Sequence, residues 1–110
     1  MYIVGSPDAE NAAAQKRFAQ ALGALPGGPG LGFTADDVLP HGTSWNTAPA
    51  EPRRSFGRWF AARSASRLAT GFEIPYGLAK GNLVTPGTAR RFGRSLALAL
   101  TSSISMENSR

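Results

Sequence analysis

The stretch "YIVGSPDAENAAAQKRFAQALGAL", residues 2–25, decides how the chain is read. Tyr2 to Gly5 is a short run of strand-forming residues. Ser6-Pro7-Asp8 then reads as a helix start: Ser6 is a good N-cap, Pro7 suits the first helical position, and Asp8 and Glu10 complement the positive end of the helix dipole. Ala14, Phe18, Ala21, Leu22 and Leu25 recur on one helical face, so the periodicity predicts a helix over about 7–25. Pro26-Gly27-Gly28 ends it. A strand feeding a helix places the chain in a mixed class.

A second start of the same kind stands at Thr85-Pro86. It predicts a helix over about 86–102, with Ala89, Phe92, Leu96, Ala99 and Leu100 on one face. From Leu96 to Met106 the apolar residues also fall on alternate positions, which is a strand period. Leu and Ala favour helix, so helix is expected, with a C-terminal strand pairing with residues 2–5 as the alternative. A third, basic helix is expected over about 53–69. Phe72, Ile74 and Tyr76 alternate as a short strand that Pro75 confines to a sheet edge, and Gly77 to Asn82 reads as a turn. The expected fold class is α+β, a single small domain over 1–110.

Residues 26–52 break the pattern. They hold five prolines and five glycines. Thr34 to Asp37 resembles a capping box opening a turn of helix through Val38-Leu39, stopped by Pro40. A mostly structureless stretch this long is unusual in a compact domain. It is expected to be either disordered or an arm that orders against a neighbouring subunit.

The charge is uneven. The net +5 divides into −3 over residues 1–52, +8 over 53–94 and zero over 95–110. Nearly all of the basic excess is arginine, a planar fork suited to phosphate and carboxylate. Between 53 and 67, five arginines surround Phe56, Trp59 and Phe60. Rings of this kind stack on unpaired bases while arginines pair with phosphates. They equally serve as core anchors with arginine stems beside them. With few large apolar residues in the chain, the core role is favoured for the three rings. Arg54, Arg58, Arg63, Arg67 and Trp59, with Arg90, Arg91 and Arg94 in the later helix, are the candidate contacts to an anionic partner. That expectation needs these guanidinium groups to converge on one surface. A GC-rich genome would also enrich alanine, glycine and arginine.

Other chemistry has little support. There is no cysteine, so disulfides, thiol catalysis and cysteine-ligated metals are excluded. His41, the single histidine, has Asp36, Asp37, Thr43 and Ser44 near it in sequence, but proximity along a loop is not a triad. No catalytic residue, metal ligand or cofactor is assigned. Ala89 and Gly93 have helix-turn-helix spacing, but Arg94 falls where an apolar residue should pack, and that resemblance is rejected.

No apolar run reaches the roughly 18 residues of a membrane span. The N-terminus lacks signal-peptide features. The expected location is cytoplasmic, or within a particle assembled inside a cell.

The leading expectation is therefore a non-enzymatic binding protein whose basic middle section contacts nucleic acid, or else an acidic protein surface. Alternatives are a small assembly protein such as a phage particle component, forming an oligomer through the 26–52 arm, and a protein inhibitor. A weaker one is a small enzyme or nucleotide-binding module using the Gly5-Ser6 turn.

Overall fold

A computed structural model describes residues 1–51, 53, 55–63 and 65–109, with Glu107 described by its backbone alone. In chain order the elements are β1 (Tyr2–Val4), α1 (Ala9–Gly23), β2 (Val38–Leu39), α2 (Phe56–Ala61), β3 (Phe72–Glu73), β4 (Leu78–Ala79), β5 (Asn82–Leu83) and α3 (Pro86–Asn108). The fold is a small α+β domain, as the two helix starts imply.

β1 is the central strand of a three-stranded sheet ordered β2-β1-β3. It pairs with β2 in parallel, Ile3 opposite Val38, and with β3 antiparallel, Ile3 opposite Phe72. α1 therefore lies in the crossover between two parallel strands. Ile3 at the sheet centre, Phe18, Ala19 and Leu22 of α1, and Phe92 and Ala99 of α3 form one core, joined by Leu31, Phe33 and Ala79.

α1 begins two residues later than its sequence implies. Asp8, not Ser6, is the N-cap: its carboxylate accepts from the Asn11 N–H at 2.7 Å, and a charged acceptor suits the helix dipole better than a hydroxyl. Ser6 instead accepts the Asp8 N–H through its side chain, while its own N–H donates to Gln15 Oε1. At α3 the expectation is met. The Thr85 and Thr88 hydroxyls each accept the other's backbone N–H, a reciprocal cap.

α3 runs past Ser102 to Asn108, so residues 96–106 are helical and no C-terminal strand forms; β2 and β3 occupy both edges of β1. Helix propensity outweighs the alternation because nothing stands ready to pair with such a strand. Ala89 and Leu100, expected on the buried face, are exposed. The third helix is far shorter than 53–69. After Ala61 the chain passes into turns, with Arg63 N–H donating to Phe60 O and Ser66 N–H to Arg63 O.

The largest correction concerns residues 26–46. They fold onto the domain's own core: Leu31 and Phe33 are buried, and Phe33 meets the rings of Phe72 and Phe92 at 5.9 and 6.1 Å. Glycines at 27, 28, 30 and 32 adopt positive φ, and Leu31 joins them at 52°. That left-handed geometry costs Leu31 about 1–2 kcal/mol, and burying its side chain, about 1.5–3 kcal/mol, offsets it.

Val38-Leu39 form a strand rather than a helical turn. Asp37, read as part of a cap, accepts from Thr34 and binds Lys80 Nζ at 2.6 Å across the molecule. Burial pushes the Asp37 carboxyl up, but Lys80 and Thr34 together hold it below its ordinary value. Lys80 and Gly81, both at positive φ, make the tight turn between β4 and β5. Among the described residues no helix is long and apolar enough to cross a membrane.

Candidate nucleic-acid interface

The arginines and rings singled out in the sequence divide into two groups. The first is built on α2. Ser55 caps it, its hydroxyl accepting the Arg58 N–H. Six residues make under two turns, and none of them is buried.

The three rings, expected in the core, lie outside it. Phe56 is 77% exposed, Trp59 42% and Phe60 36%. They gather on one another instead: the Phe56 and Phe60 rings stand 5.9 Å apart and nearly parallel at 26°, and Trp59 is 6.0 Å from Phe56. The Arg63 guanidinium covers one face of Trp59, 4.0 Å from its centroid. A positive group over an indole face is attracted by its quadrupole. The physical reason for exposure was visible in the pattern. A helix with arginine spread around its rings has no apolar stripe with which to enter a core.

Beside this cluster lies a cavity of about 330 Å³. Ser55 to Arg58 form one wall, Gly5 to Pro7 and Asn11 another, and Thr70-Gly71 a third. Its floor is held by buried amides. Asn11 donates to Ala69 O and accepts from Ala69 N–H, at 2.9 and 2.8 Å. Gln15 Nε2 donates to Val4 O and Ala69 O, and Asn46 Nδ2 to Gly5 O and Leu39 O. These bonds fasten Ala69, eight residues after α2, to α1 and, through Gln15, to β1. Sequence reading missed Asn11, Gln15 and Asn46, because their partners lie on the backbone of distant segments. It also missed Phe56 and Phe60 as surface groups.

Arg58 is half-buried at the cavity wall, and Arg67 is exposed beyond the helix. Arg54 lies outside the described residues. The second group sits elsewhere. Arg90 and Arg94 are exposed on α3, one turn apart. Arg91 donates to Gly27 O at 3.3 Å, against the segment that leaves α1. Arg58 lies against the segment that enters α1. A helix of 15 residues spans about 22 Å, so Arg58 and Arg91 stand near opposite ends of α1. Arg58 and Arg63 border the rings of α2, whereas Arg91 reaches the far end of α1.

A second cavity, about 520 Å³, adjoins the same Gly5-Ser6-Pro7 turn and is lined by Lys16, Asp36 and His41. His41 Nδ1 is buried without a hydrogen-bond partner among the described residues. Ser44 and Thr43 do not line this cavity. Among the described residues no three acidic or histidine side chains gather in a way that would hold a metal ion.

Comparison with known proteins adds no function to this geometry: no family model matches the chain, and no curated protein or solved structure does either.

Proposed function

We propose that the protein binds nucleic acid through the α2 surface. The observation that carries this reading is the exposed Phe56–Trp59–Phe60 cluster with arginines at its border. Exposed rings of this size are hydrated at a cost, and a partner that covers them gains the burial. The bordering charge is positive, which selects an anionic partner. Arg58 and Arg63 border the rings and, with Arg53 and Arg67 close to them in sequence, supply the charge, while Trp59 and its neighbouring rings supply the contact area. A location inside a cell, or in a particle assembled there, accords with such a partner.

The test is retention of DNA and RNA oligonucleotides as salt is raised. Four phosphate contacts predict a log–log slope of about −3 on single strands. Replacing Arg58 and Arg63 by glutamine should make that slope shallower by about 1.4. Replacing Arg90 and Arg94, on α3, should leave it unchanged. Failure to retain either polymer at low salt would falsify the proposal.

A second reading, an assembly protein, draws on a different observation. Leu98, Leu100, Ile104 and Met106 are exposed along the last half of α3, and Tyr76, Leu78 and Leu83 are exposed around the β4–β5 hairpin. Leu100 and Ile104, one helical turn apart, share one side of α3, and exposed apolar side chains that cluster mark contact sites. The folded 26–46 segment removes the free arm from this reading, so the helix end and hairpin would make the contacts. Light scattering decides it: self-association that Ile104→Ser abolishes is expected, and a monomer at all concentrations removes the reading.

A further inference from the structure

Resting on the nucleic-acid reading above, we infer that the α2 site takes an unpaired strand rather than a duplex, with one base stacked on the open face of Phe56 and the neighbouring nucleotide at the mouth of the adjoining cavity. In a duplex the flat faces of the bases are covered by one another, and only edges and phosphates are presented. The groups that read those edges are hydrogen-bonding forks such as arginine, asparagine and glutamine, carried on a helix that enters the major groove.

α2 is unlike that. Its six residues span about 9 Å, too short to lie along a groove, and its exposed large side chains are the three rings, with its one fork, Arg58, half-buried at the cavity wall. Three rings on so short an element form a platform, and an unpaired base has a free face to lay on it.

The geometry also gives the platform a direction. Phe60 backs Phe56, the two nearly parallel at 26°, while Arg63 occupies a face of Trp59. Phe56 is the most exposed of the three and is also the ring that lines the cavity. A strand stacking on Phe56 therefore continues directly into that space. About 330 Å³ is at the lower end of small-ligand sites, and Arg58 stands at its wall to meet a phosphate. Neither of the two cavities described above is lined by Arg90 or Arg94.

The experiment uses the full chain carrying Trp45→Phe, which leaves Trp59 as the single indole. An oligothymidylate of about 12 nucleotides and a duplex of the same length are titrated at about 50 mM salt, following indole fluorescence. The single strand should quench Trp59 and bind at least about 10-fold more tightly than the duplex, because only it offers free base faces. Phe56→Ala should weaken the single strand about 5- to 150-fold and leave duplex affinity unchanged. Phe56→Leu, apolar but without a flat face, should behave like alanine. Circular dichroism and the thermal midpoint establish that each variant is folded.

Equal or tighter duplex binding overturns this inference while leaving nucleic-acid binding in place, as does wild-type single-strand affinity in a folded Phe56→Leu protein. Binding of neither polymer overturns both this inference and the reading beneath it.

Discussion

Phe33→Ala should destabilise the domain by about 3–5 kcal/mol, the usual cost of removing a buried aromatic ring. Phe33 is 3% exposed and sits between Phe72 of β3 and Phe92 of α3, whose own rings meet edge to face at 5.6 Å. It is the point where the irregular segment, the sheet and the last helix join. Its loss leaves a cavity lined by two rings that cannot close without moving β3 or α3. A domain of this size has about 5–15 kcal/mol in all, so a large share of its stability goes with one side chain.

Urea unfolding followed by circular dichroism measures the effect, and Phe56→Ala is the internal comparison. That residue is also a phenylalanine, but it starts α2 outside the core and is exposed, and its removal should cost no more than about 0.5 kcal/mol. If the two variants lose the same stability, residues 26–46 are not part of the core, and the description of them as a folded segment is wrong.

This contrast shows where local pattern is informative. The α1 and α3 helices were readable because their causes are local. A capping side chain, a proline beside the helix start and an apolar residue every three or four positions lie within a few residues of each other. Even there Asp8 displaced Ser6: the Asp8 carboxylate takes the Asn11 N–H, and the Ser6 hydroxyl accepts from the Asp8 N–H instead. The 26–46 segment has no such local cause. Its glycines allow the turns, but what holds it is Phe33 among distant rings, Asp37 bound to Lys80, and Asn46 tied to Gly5 and Leu39. Each partner is set by the fold as a whole.

The candidate site divides the same way. That arginine and aromatic residues concentrate between 53 and 94 is composition, and it was legible. That Arg58 lies at one end of α1 and Arg91 at the other is topology, and charge counting cannot separate them. The exposure of Phe56, Trp59 and Phe60 lay between these cases. The scarcity of large apolar residues favoured a core role, while the arginines interleaved on every side of the helix argued for the surface, and the second argument is the one that prevails. Helix amphipathicity asks whether an element can enter a core at all, whereas anchor supply asks only whether the core would use it.

Gly5→Ala should cost about 2–4 kcal/mol, although the substitution adds a single methyl group. Gly5 closes β1, and its N–H donates to Leu39 O at 2.8 Å. A Cβ built there meets that same oxygen at 2.6 Å, Pro40 Cα at 3.0 Å and the His41 nitrogen at 3.1 Å. All three are main-chain atoms, so no rotamer change relieves the contact. β2 must move away from β1. Overpacking of this kind costs about 1–3 kcal/mol, and weakening the Gly5–Leu39 bond, with the Asn46 amide that spans both carbonyls, adds about 1 kcal/mol.

Gly93→Ala is the matched control. It sits inside α3, where an added Cβ meets nothing within 4 Å. There the same methyl group should stabilise the protein by about 1 kcal/mol through helix propensity. The pair of variants thus predicts opposite signs for one chemical change, read as shifts of the denaturation midpoint. A Gly5→Ala protein as stable as wild type would mean that β1 and β2 do not approach this closely. The turn after β1, which forms a wall of both cavities, would then not be held in the position that places Arg58 and Phe56 beside it.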